Sequence, residues 1–318
     1  MLVLRHLGSI GRRFQQPVLT LGNFDGVHRG HQEILGRLVQ RAREIGGTSI
    51  ALTFHPHPAQ LLSPNQAPLL LTDWRSKLER LAAGSVDVVI TERFTREFSE
   101  IDAEEFVRRL LIDGLGVRQI VVGHRVRFGH GRRGNSDVLR VLGERSGVEV
   151  EIIGPVVVQG IAVSSSAVRQ AVNEGDLEKA AVLLGRRPSA AARVVHGHHR
   201  GHSLGFPTAN LRISGLMLPP DGVYAVRARR RNRWLHGVAN LGFNPTFDNN
   251  ERSLEVHLFD FSESIYAERL EVEFVQKLRG ERKFPSPKDL VAQIRQDADQ
   301  ARGVLAKLGG LSCKRNGS

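Results

Sequence analysis

Two stretches of this 318-residue chain set glycines, histidines and oxygen-bearing side chains at spacings suited to phosphate chemistry. The first is Gly22-Asn23-Phe24-Asp25-Gly26-Val27-His28-Arg29-Gly30-His31. It joins the apolar run 18–21, which reads as a buried strand, to a helix-like run over 31–45. A strand that passes through a glycine-rich turn into a helix offers unpaired N–H groups to an anion. Glycines at 22, 26 and 30 let the backbone approach a phosphate. His28 and His31 stand one helical turn apart, so both imidazoles can face that anion and stabilise charge in a transition state. Helix capping is the plainer use of such histidines, but the full ten-residue run directly after a strand favours an anion site.

The second stretch runs from Gly197 to Asn210 and includes Arg200, Gly201, Gly205, Pro207 and Thr208. Its glycines suit a loop that wraps phosphates with backbone N–H groups. Thr208 and Asn210 are two apart, so in an extended segment both side chains point the same way. Their oxygens suit Mg²⁺, a hard cation that keeps substrate phosphates and waters as its remaining ligands. Further on, Leu254, Val256 and Leu258 alternate with Glu255, which places that carboxylate on the opposite face of a strand.

The elements around these stretches change rhythm along the chain. Strand-like runs at 18–21, 48–54, 87–90 and 117–122 alternate with helix-like runs at 31–45, 77–83 and 103–111. That alternation predicts a parallel sheet built from βαβ units. In the second half, strand-like runs at 223–228, 234–241, 254–261 and 270–275 follow one another across short turns such as 231–233 and 248–250. They predict an antiparallel sheet or small barrel, followed by a helix over 287–308 with Pro287 near its start. The changeover falls near Arg186-Arg187-Pro188-Ser189, giving domains at 1–186 and 187–318.

Taken whole, the first run resembles the nucleotide site of HxGH nucleotidyltransferases. In its longer form, GNFDGVHRGH, it is similar to the adenylyltransferase module of the bacterial bifunctional riboflavin kinase/FAD synthetase family. Val163-Ser164-Ser165-Ser166-Ala167-Val168-Arg169 resembles that family's SSTxIR run, with Ser166 in place of Thr. Gly201-His202-Ser203-Leu204-Gly205-Phe206-Pro207-Thr208-Ala209-Asn210 resembles the riboflavin kinase stretch RGRxLGFPTAN, with His202 where Arg is usual. Pro220-Asp221-Gly222-Val223-Tyr224, Asn244-Pro245-Thr246-Phe247, Glu255-Val256-His257-Leu258 and the run 278–284 follow in the family's order.

The resemblance covers nearly the whole chain. It implies an N-terminal Rossmann-like α/β nucleotidyltransferase domain and a C-terminal antiparallel riboflavin kinase-like barrel with a final helix. It implies phosphorylation of riboflavin to FMN and adenylylation of FMN to FAD, with ATP as co-substrate and Mg²⁺ as cofactor. The implied roles are general base for Glu255 and catalysis by His28 and His31. ATP-phosphate binding falls to Gly22, Asn23, Phe24, Asp25, Gly26, Gly30, Ser164, Ser165, Ser166 and Arg169 in the first domain. In the second it falls to Gly197, Arg200, Gly201, Gly205 and Pro207. Flavin contact is implied for Phe54, His57, Phe128 and Arg279, and metal ligation for Thr208 and Asn210. One departure stands out: 123–129 reads Gly-His-Arg-Val-Arg-Phe-Gly, with Arg125 in place of an acid or amide and Val126 in place of an aromatic. Three readings of Arg125 stand: it obstructs the nucleotide loop, it holds a phosphate itself, or it is a neutral variation on that loop.

Composition bounds the remaining choices. Hydrophobic residues at 41% and charged residues at 25% are ordinary for a globular protein. Lys+Arg total 45 against 33 Asp+Glu, a net charge of +12 that suits phosphate-bearing partners of any size. A flavin-sensing nucleic-acid regulator is the rival reading, resting on that charge and on Arg227, Arg229, Arg230, Arg231 and Arg233; the order of the phosphate motifs argues for an enzyme. A riboflavin kinase with an altered N-terminal site is the other, resting on Arg125 and Val126. The single cysteine, Cys313, excludes an internal disulfide and a Cys-based metal site, and suits a reducing cytoplasm. No apolar run reaches the roughly 20 residues of a membrane span, and an oligomer is left open by the sequence.

Overall fold

The computed structural model describes residues 1–10, 14–196, 205–243 and 252–312. The chain divides into two compact units: Met1–Leu70 with Trp74–Ala167, and Leu71–Asp73 with Val168–Ser318.

The first unit is a six-stranded parallel sheet with helices. Its strands are β1 (Leu2–Arg5), β2 (Val18–Leu21), β3 (Ser49–His55), β4 (Val88–Arg93), β5 (Gln119–Gly123) and β6 (Glu149–Ile153). They lie in the order β1-β4-β3-β2-β5-β6, with β2 parallel to both β3 and β5. The order runs one way from β2 through β3 to β4 and the other way from β2 through β5 to β6. The reversal between β2 and β5 is a topological switch point, and ligands of open α/β sheets bind outside the strand carboxyl ends there.

Helices α1 (Arg29–Glu44), α2 (Pro58–Leu62), α3 (Trp74–Ala83), α4 (Arg96–Ser99), α5 (Ala103–Glu105) and α6 (Ser136–Arg145) connect the strands, α5 running on into a π-helical stretch, Phe106–Gly114. α1 buries Leu35, Leu38, Val39 and Ala42 on one stripe, against Val18, Ala51, Leu81 and Val89. Each of the leucines and valines contributes about 2 kcal/mol on leaving water. Asn135 caps α6 by accepting from the N–H of Asp137 and Val138, both at 2.9 Å. β1 and β6 extend the sheet beyond the four strands that the alternation predicts. β1 reads Leu-Val-Leu-Arg, yet is exposed at three of four positions. A two-stranded ribbon of β7 (Val157–Val158) and β8 (Ile161–Ala162) precedes α7 (Ser165–Glu174).

In the second unit, α8 (Leu177–Leu184) ends at Gly185 in the left-handed conformation, φ 74°. The barrel strands are β9 (Ser189–Val195), β10 (Ala209–Arg212), β11 (Gly222–Arg230), β12 (Arg233–Phe243), β13 (Arg252–Leu258) and β14 (Arg269–Arg279). They close in the order β10-β13-β12-β11-β14-β9, with β9 paired back to β10. Closure removes every sheet edge, so each strand is hydrogen-bonded on both sides. Tyr224, Val226, Leu211, Leu254, Val256, Val272 and Phe274 belong to its buried core. The last helix, α9 (Pro287–Ser312), packs Ala298, Ala301 and Leu305 on Val223, Ala225, Val238 and Phe259, outside that core.

Four of the five hairpin arginines face carboxylates, and the fifth, Arg233, is exposed. Arg227 pairs with Glu273 at 3.3 Å, Arg229 with Glu271 at 2.7 Å, Arg230 with Glu263 and Glu268 at 2.5 and 2.7 Å, and Arg231 with Glu268 at 3.6 Å. The patch that motivated a nucleic-acid partner is thus largely neutralised by neighbouring carboxylates.

Candidate active site

In the first unit the site is built by the turn from β2 into α1. Phe24 and Val27 take positive φ, 47° and 39°, and Gly26 takes 83°. Two non-glycine residues held in that region mark stored strain, which clusters at functional sites. The Phe24 ring is buried with Val27 among Leu35, Leu38 and Leu81, which holds the turn in place. Gly22 donates its N–H to Leu52 O at 3.1 Å. The Gln32 amide donates to Val27 O at 2.8 Å, and Ser165 Oγ donates to Asp25 O at 3.0 Å.

His28 is the N-cap of α1, and its Nδ1 accepts the N–H of His31 at 3.3 Å. An imidazole that accepts at Nδ1 carries its hydrogen on Nε2 when neutral, leaving an N–H to donate elsewhere. The rings of His28 and His31 stack 3.7 Å apart at 15°. His31 also meets the Phe24 ring edge-on at 5.3 Å. Burial, then His28, then Lys77 hold the His31 pKa well below its usual 6.5, so this ring is neutral at physiological pH. Among the described residues its buried Nδ1 has no hydrogen-bond partner, a state that suits a group that meets a ligand. A Cβ on Gly30 would stand 3.2 Å from the His28 ring, so a side chain there would crowd that ring.

The other residues predicted for the N-terminal site fall as follows. Ser164 Oγ accepts the Ala167 N–H at 3.1 Å and starts α7. Ser166 is exposed, and Arg169 lies one turn into the same helix. Phe54, at the end of β3, opens a chain of ring contacts through Phe98 (5.9 Å), Phe106 (6.1 Å) and Phe128 (5.7 Å). His57 caps α2 by accepting the Ala59 N–H at 3.2 Å. Arg125 is exposed in a tight turn after β5, closed by Val126 N–H to Gly123 O at 2.9 Å, and Val126 packs against the core. The departures from the family pattern therefore change the rim beside the switch point and leave the buried turn intact.

In the barrel, β10 pairs with β13 so that Asn210 stands opposite Glu255, and β12 sets Asn240 opposite Glu255 from the other side. Residues directly opposite in antiparallel strands share a face. Leu254, Val256 and Leu258 are buried while Glu255 and His257 are half-buried, as the alternation predicts. Thr208 lies just before β10, where the Asn210 amide reaches Thr208 O at 3.5 Å and His257 Nδ1 lies 2.9 Å from Pro207 O. Gly205 takes φ 84°. Gly197, Arg200 and Gly201, like the 248–250 turn, lie outside the described residues.

Arg279 is engaged by α9: its guanidinium reaches Asp297 at 2.8 to 3.1 Å and lies 5.6 Å from the Phe284 ring centre. Asp297 is buried. Removing one partner of such a pair strands the other charge, so R279A is expected to cost about 3 kcal/mol. Urea unfolding followed through the barrel would show the lowered midpoint. Sequence reasoning passed over Lys77, a buried cation near this N-terminal turn. The signal it left is its type: of 45 basic residues only seven are lysines, and lysine is the base that can be buried with a shifted pKa.

A glycine-rich turn suited to phosphate at the switch point of a parallel sheet, followed by a closed barrel with its own polar row, fits a two-site enzyme of phosphate transfer. A family model described as FAD synthetase matches residues 12–167, and one described as riboflavin kinase matches 184–305. The bifunctional riboflavin kinase/FMN adenylyltransferase of Haemophilus influenzae is 40% identical over 96% of this chain and 99% of its own. That of Escherichia coli K12 is 38% identical over 95% and 97%. A crystal structure titled as a macrolide-efflux protein from Streptococcus pneumoniae has a TM-score of 0.84 at 30% identity, covering 95% of this chain and 99% of that one. The chain belongs to the bifunctional riboflavin kinase/FMN adenylyltransferase family. Among the described residues no helix is long and apolar enough to cross a membrane.

Proposed function

We propose that the chain makes FAD from riboflavin in two ATP-dependent steps, one in each half. Residues 187–318 phosphorylate riboflavin to FMN, and residues 1–186 adenylylate FMN to FAD. The observation that carries this reading is the agreement between the two family matches and the two phosphate-suited arrangements, one in each matched span.

In the barrel, Glu255 takes the proton of the riboflavin 5′-hydroxyl as its oxygen attacks the γ-phosphorus of ATP, and ADP leaves. The loop from Gly197 to Gly205, with Arg200 and the Pro207 backbone, holds the phosphates. Thr208 and Asn210 would hold Mg²⁺. The fit is supported by the register that sets the Asn210 amide opposite the Glu255 carboxylate. When bound, the ion neutralises charge on the phosphate oxygens. Arg279 helps to place riboflavin from the far end of β14.

In the first half, an oxygen of the FMN phosphate attacks the α-phosphorus of ATP, and pyrophosphate leaves. The start of α1 and the His28 Nε2–H donate to the phosphate oxygens, where negative charge grows in the transition state. His31 acts as a neutral partner of His28. Gly22, Asn23, Asp25 and Gly26 shape the turn, Ser164, Ser165, Ser166 and Arg169 bind ATP, and Phe54, His57 and Phe128 line the flavin side. ATP as substrate and the single cysteine support a cytoplasmic location.

Chromatography of a reaction with riboflavin, ATP and Mg²⁺ tests the reading. FMN is expected first and FAD after it; EDTA is expected to stop both. FMN without FAD, even with FMN supplied directly, would reduce the protein to a kinase.

A further inference from the structure

Lys77 is a buried cation that the roles above leave unused. It is 5% exposed, and the Asp25 it acts on is 2% exposed. Its place follows from topology. α3 lies between the parallel strands β3 and β4, so it runs back along the sheet and begins at the carboxyl edge. Side chains of a helix lean toward its N-terminus, so Lys77, in the first turn, leans toward the edge where the phosphate turn sits. The contacts agree. The Lys77 ammonium is 5.4 Å from the centre of the Trp74 ring, and that ring lies 4.6 Å from His55, the last residue of β3. One turn further along α3, Leu81 packs in the same cluster as Phe24 and Val27 of the strained turn.

We propose that Lys77 is a positioning residue of the adenylyl-transfer site, resting on the reading above. Its ammonium, held beside Asp25, supports the strained turn and keeps positive charge next to the His28–His31 pair that receives the ATP phosphates. The charged and titratable groups near it are Asp25 on the turn, His28 and His31 at the start of α1 and His55 at the end of β3. Arg80 lies one turn on in α3. Burial brings Lys77 down to about 8, with Asp25 acting in the opposite direction. The ammonium is therefore charged at neutral pH and loses its proton just above it. Lys77 in turn helps to keep His31 and His55 unprotonated. An arginine, which does not deprotonate, could not titrate in this range.

The test uses the full chain, whose FMN formation serves as an internal control for folding. K77M is expected to raise KM for ATP in the FMN-to-FAD step by about tenfold, the effect of losing one charge-assisted contact. Formation of FMN from riboflavin is expected to stay within about twofold. Without the ammonium His31 protonates more readily, so the acid limb of the FAD-forming pH profile should move to higher pH. In the unaltered protein, kcat/KM for ATP in that step should fall as pH rises through about 8, since this ratio reports the free enzyme. That measurement stands even if K77M does not fold. An unchanged KM and acid limb in folded K77M, or a flat kcat/KM from pH 7 to 9 in the unaltered protein, would overturn the proposal alone. Absence of FAD from the unaltered protein would overturn the adenylyl-transfer reading and this proposal with it.

Discussion

Replacing Glu255 with Gln is expected to lower the rate of FMN formation by about 10²- to 10⁴-fold, the usual contribution of a positioned general base. Glutamine keeps the size and the hydrogen-bonding reach of the side chain but cannot take a proton. The register between β10 and β13 gives the substitution a clean background. Glu255 is half-buried on the face opposite Leu254 and Val256, so the barrel core is untouched. FAD formation from supplied FMN should be unchanged, because it belongs to the other unit. A drop of only a few-fold would reduce Glu255 to a solvated strand residue and send the search for the base to other polar groups of the same row.

The second large effect is expected at the histidine pair. H28A should lower FAD formation by about 10²- to 10³-fold, the range for removing one preorganised donor from a developing oxyanion. H31A should be comparable, because His31 sets the environment of His28 through a stack at 3.7 Å. Groups that act as a unit are not additive, so the double variant should fall little below the worse single one. The sign of the pH effect follows from the same contact. His31 is held well below 6.5 by burial, His28 and Lys77, so its neutral form prevails above that pH, and its protonation should lower activity on the acid side. Steady-state rates with FMN and ATP across pH 5 to 8 would check this. FMN formation by the same preparation reports whether the protein is intact.

Much of this was written in local sequence because phosphate sites are local. The turn 22–31 carries its glycines, its histidines and its flanking strand within a few residues of one another, and the structure keeps that order. The face of Glu255 followed from simple alternation. What escaped was set by distant neighbours. β9 reads Ser-Ala-Ala-Ala-Arg-Val-Val, and its alanines favour helix as isolated residues; it is a strand because β10 and β14 pair with it on either side. β10 is four residues long and needs β13 to be seen. Lys77 reads as one more charge on a helix surface. Only the fold of α3 against the strained turn reveals that its ammonium has left the solvent.

The closed barrel has a consequence for how this enzyme can vary. Asn210, Glu255 and Asn240 are brought into line by cross-strand pairing. Because side chains alternate with every residue, a single-residue deletion within β13 would exchange the two faces beyond the deletion. Glu255 would turn toward the packed interior while leucine or valine took its place in the polar row. An open sheet can absorb such a slip at a free edge, but a closed one has none to offer. Length changes should therefore be tolerated in the connections and rejected in the staves, so that the spacing of β13 is inherited as strictly as the carboxylate it carries.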